Sequence, residues 1–310
     1  MFSFIIVDYK SLYKTMEYIT SCLKNIKSSA EIHYIVVDND SETTLEEQEK
    51  HLSVVWDYVC ECEGVPVYYG FWKEQKIYFV KAKSNGGYGR GNNLGAKVSR
   101  VLFNDRFLIF SNNDLNFTHK VIIEEAVLLF EKDKKIAALG PGIVDLNGNR
   151  QNPGKFQSMS KQLFGDYLEL LLPKALKRQS MTYEQASGVC DWVSGAFMLV
   201  EAVKFWDAGG FDENTFLFME ETILSRRFEK INCYMYFDDS VQLIHNHGET
   251  VKSTIGVIRG IQHDFQSRIY YYRNYQNIKR IWIVLARIHF RVFLILFSLK
   301  KKVGSVMRKG

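Results

Sequence analysis

The sequence predicts an α/β protein: a mostly parallel sheet flanked by helices, with a helical appendage at its C-terminal end. Three observations carry this prediction. Short β-branched runs alternate with a helix-compatible stretch, the order expected of a parallel sheet. The first runs close on polar residues, Asp8 in "FSFIIVDY" (2–9) and Asp38 in "IHYIVVDND" (32–40). After residue 264 the chain turns to long apolar stretches punctuated by arginine and lysine.

The bulk composition bounds the reading. A chain of 310 residues that is 46% hydrophobic can bury a large core. No Pro- or Ser-rich linker divides it, so one catalytic-sized domain is expected over 1–260 and a basic amphipathic helical region over 261–310. The five cysteines, Cys22, Cys60, Cys62, Cys190 and Cys233, are scattered and lack zinc spacing, which reads as reduced structural thiols of a cytosolic protein. No charged region followed by a long apolar run opens the chain, so no signal peptide is expected.

Each element follows in order. Residues 2–9 read as a strand, Ser11 to about Ile26 as a helix and 32–40 as a second strand. Ligands of such sheets sit beyond the carboxyl ends of the strands, so Asp8 and Asp38 should face one crevice. Residues 67–83 read as two strand segments with an interruption. "SNGGYGRGNNLGAKV" (84–98) frees the backbone for close approach to a ligand, or is a flexible turn before a helix; no Gly-Lys-Ser/Thr follows, so it is not a Walker loop. "RFLIFSNNDLNF" (106–117) is a buried strand ending on Asn112, Asn113 and Asp114. These are oxygen ligands for a hard cation, or an Asx-rich turn.

The stretch 137–160 reads as a loop, and 191–200 returns to strand character after Trp192. Residues 211–230 become amphipathic from about Met219, with Glu220 and Glu221 side by side. An apolar run then ends in His245 and His247, a spacing that raises the metal-ligand reading above that of a lone histidine.

Taken in order over 4–250, these segments resemble the inverting family 2 glycosyltransferases of the GT-A fold, above all the rhamnosyltransferase-like enzymes of bacterial surface polysaccharide synthesis. "IIVDYKS" resembles the opening I-I-V-T-Y-N, and "VVDNDS" resembles V-V-D-N-x-S. "SNGGYGRGNNLG" resembles N-x-G-F-x-x-G-N-N-x-G, and "SNNDLNF" resembles the metal-site segment. "VSGAFMLV" and "GGFDENTFLFMEE" resemble the acceptor-side block, and "LIHNHGET" resembles the closing histidine segment. The chain departs from the pattern at Asp8 and Lys10, where the family has Thr and Asn. Asn112 replaces the first acid of Asp-x-Asp, and Ile223 replaces the last acid of Glu-Asp-x-Asp.

The resemblance implies a set of roles. Glu221 would be the general base that deprotonates the acceptor hydroxyl, with Glu220 and Trp192 binding the acceptor. Asp8, Tyr9, Asp38, Asn85, Asn92 and Asn113 would contact the nucleotide-sugar. Asp114 and His245 would hold Mg²⁺ or Mn²⁺, helped by Asn112, with His247 the alternative to His245. The implied partners are a nucleoside-diphosphate sugar and a glycan or lipid-linked glycan, and no nucleic acid is implied; a homodimer is a separate reading, left open by the C-terminal helix. A catalytically silent relative is the second reading, motivated by Asn112 and Ile223. A nucleotidyltransferase is the third, opposed by the missing G-x-G-T-R-like loop.

The tail adds location. Residues 281–299 are long enough to span a bilayer, but Arg287 and Arg291 near the middle would each cost about 2.5–3.5 kcal/mol there. Arg280, Arg287, Arg291 and Ser298 fall within about 40° of one another on a helix, and Lys300, Lys301 and Lys302 follow. That pattern suits an in-plane helix on an anionic membrane surface, on the cytoplasmic face, or alternatively a helix packed on the catalytic domain with its arginines outward.

Overall fold

The computed structural model describes residues 1–172, 185–246 and 256–306. The first half holds β1 (Phe2–Asp8), α1 (Leu12–Asn25), β2 (Ile26–Lys27), β3 (Ile32–Asp38) and α2 (Leu45–Leu52), then β4 (Asp57–Cys62), β5 (Val65–Trp72), β6 (Gln75–Lys81) and α3 (Gly87–Leu102). Next come β7 (Phe107–Ser111), β8 (Leu115–Phe117), β9 (Val121–Ile122), α4 (Ile123–Lys132) and β10 (Ile136–Val144). A π-helical turn (Lys161–Gly165) leads into α5 (Asp166–Leu171). The rest comprises β11 (Gly188–Cys190), β12 (Phe197–Glu201), α6 (Ala202–Asp207), α7 (Glu220–Lys230), β13 (Tyr234–His245), α8 (Val257–Asn274) and α9 (Arg280–Val306).

Among the described residues the main sheet runs β11-β13-β10-β12-β7-β1-β3-β6-β5-β4, with β8 added to β13. Its centre, β7-β1-β3-β6, is parallel, as the strand–helix–strand order predicts. The flanks are antiparallel: β12 against β7 and β10 on one side, β4 and β5 on the other. Beyond β12, β10 and β13 pair in parallel again, so the sheet is mixed.

Alternation along the central strands builds two cores. Phe4 and Ile6 of β1 face Met16 and Ile19 of α1, whereas Ile5 faces Ala96 of α3. Burial on both faces is why these strands read as unbroken apolar runs. A third core joins α8 and α9 to Leu163, Tyr167 and the start of α7, through Met219, Ile223, Phe265, Phe290 and Phe293.

The sequence reading errs over 137–160. Its first part is β10, a strand paired on both sides. "LGPG" looks like a turn, but Pro141 sits at a register shift in the ladder with β13, where a strand tolerates proline. Gly140 is there because a Cβ would stand 2.6 Å from Val193 Cβ.

The glycines of α3 serve the sheet rather than a ligand alone. A Cβ on Gly91 would lie 2.9 Å from Val7 Cγ1, and one on Gly95 2.4 Å from Ile5 Cγ2. Alanine at position 95 gains about 1 kcal/mol of helix propensity. It also overpacks a fixed core contact, which costs about 1–3 kcal/mol. Gly95→Ala should therefore lower the urea unfolding midpoint; an unchanged or raised midpoint would show that α3 can move off the sheet freely.

Candidate active site

Beyond the carboxyl ends of β1, β3 and β7 lies a cavity of ≈ 270 Å³. Tyr9, Asn85, Asn113, Asp114, Glu220, Glu221 and His245 line it, joined by Asn39, Tyr88, Asn112, Gly195 and the apolar Phe216–Phe218. With Asn112, eight of the residues nominated from sequence thus meet at one place.

Asp8, Asp38, Asn92 and Trp192 are not among its lining residues. Asp8 is buried and accepts hydrogen bonds from Ser11 Oγ (2.6 Å), Thr15 Oγ1 (2.6 Å) and Asn113 Nδ2 (3.3 Å). Burial pushes its proton affinity up against those hydrogen bonds, and its place is a knot that ties β7 to α1. Asp38 accepts from Ser41 N–H (2.8 Å) and Gln48 Nε2 (2.9 Å), turning the chain into α2. Asn92 donates within α3 to Tyr88 O (3.0 Å). Trp192 lies flat against the backbone of Gly154, where a Cβ would come within 2.0 Å of the indole.

Asn39 escaped sequence reasoning although it sits inside the quoted "VVDNDS". Its amide donates to Asn85 Oδ1 (3.0 Å) and Gly87 O (3.2 Å), so it fastens β3 to the glycine-rich loop. Tyr88 and Gly195 were missed too; both lie in quoted motifs, but one sequence carries no sign of their contacts.

The acid pair opens α7. Phe218 (φ 73°) and Met219 (φ 72°) are left-handed immediately before it, a costly backbone for non-glycine residues. Glu220 is only 2% exposed, and its Oε1 lies buried with no hydrogen-bond partner. Glu221 is partly buried and accepts from Gly195 N–H at 2.9 Å. A helix N-terminus favours carboxylates by about 0.3–1 kcal/mol. Desolvation wins over it: burial, and then the Glu221 charge, push Glu220 well above the usual carboxylate range. Burial also raises Glu221, opposed by the Gly195 amide. The two carboxyls are thereby unlike: Glu220 keeps its proton more firmly, and Glu221 is the better acceptor.

Across the cavity His245 Nε2 stands 3.0 Å from Asp114 Oδ1, with both side chains under 10% exposed. Gln151 Oε1, 2.7 Å away, accepts the Nδ1 proton of His245, the arrangement that turns the Nε2 lone pair outward. Two acceptors facing each other at that distance suit a cation beside them. Among the described residues no three His, Cys, Asp or Glu side chains cluster for a metal. A site of one carboxylate and one imidazole fits a hard cation that takes its remaining oxygens from phosphates. His247 lies outside the described residues.

No family model matches the chain. Over 117 residues it is 28% identical to the N-acetylglucosaminyl-diphospho-decaprenol L-rhamnosyltransferase of Mycobacterium tuberculosis. That match covers 36% of this chain and spans 38% of the curated relative's length. The fold is similar to GalNAc-T7 solved with UDP, GalNAc and Mn²⁺ (TM-score 0.54, 15% identity, 79% of this chain and 43% of that one). It is also similar to the Pyrobaculum calidifontis mannosyltransferase PcManGT solved with GDP-Man and Mn²⁺ (TM-score 0.50, 8% identity, 100% and 80%). The fold is therefore GT-A, the α/β architecture of nucleotide-sugar glycosyltransferases. Over the 117 matched residues the sequence resembles a rhamnosyltransferase.

The burial of Glu220 sets a pH dependence. Its folded proton affinity exceeds that of the unfolded chain, whose glutamates titrate near about 4.3. Below that pH both states hold the proton; above it the unfolded state releases the proton first, so this residue lowers stability as pH rises. Glutamine has no such proton. The Tm of Glu220→Gln relative to wild type should therefore be higher at pH 8 than at pH 5. A difference independent of pH would mean that Glu220 is solvated in the folded chain.

Proposed function

We propose that the chain transfers a sugar, with inversion, from a nucleoside-diphosphate sugar to a glycan hydroxyl in bacterial surface polysaccharide synthesis. The donor is dTDP-rhamnose or a UDP-sugar, and the acceptor is lipid-linked. The observation that carries this reading is the meeting of two unlike carboxyls and an Asp–His pair in one cavity at the strand ends. The relative whose name specifies a diphospho-decaprenol acceptor supports the lipid linkage.

In this reading Glu221 takes the acceptor's hydroxyl proton as that oxygen bonds to the anomeric carbon from one face. The bond to the diphosphate oxygen breaks on the other, and its electrons leave with the nucleotide. Glu220, holding its proton, donates a hydrogen bond to an acceptor oxygen. Asp114 and His245, with Asn112, hold Mg²⁺ or Mn²⁺, which when bound neutralises charge on the departing diphosphate. Tyr9, Asn39 and Asn85 line the nucleotide side, and Phe216–Phe218 form an apolar wall.

Release of UDP, dTDP or GDP from a panel of donors, in the presence of isolated membranes, tests the reading. Glu221→Gln should slow transfer by about 10²-fold or more, because a carboxamide cannot accept the proton. Calorimetry should show that Glu221→Gln still binds a nucleoside diphosphate with Mn²⁺ and that Asp114→Ala loses the Mn²⁺ dependence. Near-normal turnover of the first variant removes the base assignment; unchanged metal dependence in the second removes Asp114 as a ligand.

The outer face of α9 supports the membrane location. The helix is long and apolar enough to cross a bilayer by length and composition, with a mean hydropathy of 1.9 over Arg280–Lys300. However, Ile283, Ala286, Phe290 and Phe293 are buried against the third core. His289, on the flank of that face, meets the carbonyl of Phe164 at 3.1 Å. Ile281, Leu285, Ile288, Val292, Ile295 and Leu299 are exposed on the other side. At about 100° per residue the arginine stripe lies about a quarter turn from each face. The membrane-facing surface is therefore the outward apolar arc, with the arginines on its flank at headgroup level. After Asp264 the sequence has no acid and eleven lysines and arginines, which favours an anionic leaflet.

Substituting Ile288, Val292 and Ile295 by glutamate changes exposed positions only. It should abolish co-sedimentation with anionic vesicles, whereas high salt should weaken binding of the wild type by screening. Undiminished binding by the variant would place the attachment elsewhere, and wild-type retention in both salt and alkaline carbonate would favour a spanning helix.

A further inference from the structure

Tyr88 occupies a position that neither the motif reading nor the reaction uses. It is the second residue of α3, in the glycine-rich loop, and its hydrogen bonds reach two other segments. Its backbone N–H donates to Phe216 O (3.1 Å), on the segment leading to the acid pair. Its hydroxyl donates to Gly195 O (2.7 Å), in the loop before β12. Gly195 N–H in turn donates to Glu221 Oε1 (2.9 Å). The close approach leaves no room for a side chain at Gly195: a Cβ would lie 2.4 Å from the Tyr88 hydroxyl oxygen and 3.0 Å from Glu221 Oε1. The approach of the loop to the acid segment is equally tight, since Gly87 (φ +81°) would place a Cβ 1.9 Å from Phe216 O.

We propose that Tyr88 is a positioning residue for the base. Its hydroxyl holds Gly195 by the carbonyl, so that the Gly195 amide keeps the Glu221 carboxylate aimed into the cavity, and it ties that geometry to the donor-side loop. The inference rests on the transfer reading above. The carbonyl and the amide of Gly195 belong to different peptide units, so the coupling is positional rather than transmitted through one polarised amide. A carboxylate that drifts from its amide donor loses orientation and also the hydrogen bond that favours its charged form. The titratable groups facing Glu221 are Glu220 beside it on α7 and Tyr88 from α3. Asp264 of α8 acts on Glu220, and Asp114 and His245 line the far side of the cavity.

The test is Tyr88→Phe, which removes one oxygen and keeps the ring that packs on Phe211 (centroids 5.5 Å apart). Expected are a fall in kcat of about 10²-fold with donor KM unchanged, and an acid limb of the rate profile moved to higher pH. Infrared titration of the Glu221 carboxyl, assigned by its loss in Glu221→Gln, needs no turnover and should move in the same direction. Gly195→Ala, which pushes between the two side chains, should reproduce that shift. Unchanged kcat, rate profile and infrared midpoint in Tyr88→Phe would overturn the proposal. A moved midpoint with no transfer by the wild type would uphold the clamp and refute the transfer reading instead.

Discussion

The geometry of the site depends on how closely α3 lies against the strands. Gly87, Gly91 and Gly95 are spaced by four, so they share one face of the helix. On that face the nearest atoms are Phe216 O, the Val7 side chain and the Ile5 side chain, all nearer than a Cβ would allow. Backbone contact replaces side-chain contact along the whole line. The consequence is that the strand end of β1, the loop of α3 and the segment before α7 converge within one cavity. A helix with ordinary side chains there would stand off the sheet and pull Tyr88 away from Gly195.

The acid pair is expensive, and the surroundings show what holds it. Two consecutive left-handed residues before α7 cost about 1–3 kcal/mol each, and such strain persists only when neighbours over-determine it. Tyr88 N–H holds Phe216 O, the Ser267 hydroxyl donates to Leu217 O (2.8 Å), and the His263 ring stacks on Phe216 (4.5 Å). Two of those three contacts come from α8, which packs with α9 in the third core. The C-terminal helices thus do more than offer a surface: they brace the segment that aims the two carboxyls. This also argues against treating α9 as removable, because its inner face covers apolar side chains that α8 and α7 share.

Much of this was legible in the sequence, for definite reasons. The central strands were readable because burial on both faces writes a continuous apolar run, and their polar ends marked the crevice. The acid pair and Asp114 were readable because charge at such positions is rare without use. β10 was not readable, because Gly140 and Pro141 carry turn chemistry that tertiary pairing overrides. Segment 41–62 gave no reading, although Thr44 and Glu47 form a capping box at the start of α2 whose spacing is visible in the chain. Asp8 and Asp38 were read as ligands because they end strands; strand ends also need residues that turn the chain, and both carboxyls are engaged in that. Tyr88 and Gly195 were hidden because a contact across more than a hundred residues leaves no local pattern.

The two departures that motivate the silent-relative reading, Ile223 and Asn112, bear on it differently. Ile223 is fully buried, in the core shared with α8 and α9. An acid at that position would be a desolvated charge among Phe265, Phe290 and their neighbours, costing several kcal/mol without a partner. Isoleucine is what this packing requires, and its presence says nothing against turnover at Glu221, two residues earlier on the opposite face. Asn112 does line the cavity, where an amide oxygen can still serve a hard cation without the charge of a carboxylate. What remains is Glu220, buried with an oxygen unsatisfied. A binding module gains nothing from such a group, since an amide there would avoid the ionisation cost. A transferase that keeps one carboxyl protonated beside the base gains a hydrogen-bond donor for the acceptor, while burial raises the proton affinity of Glu221 itself. On energetic grounds, then, the buried Glu220, costly to the fold, favours catalysis over silent binding.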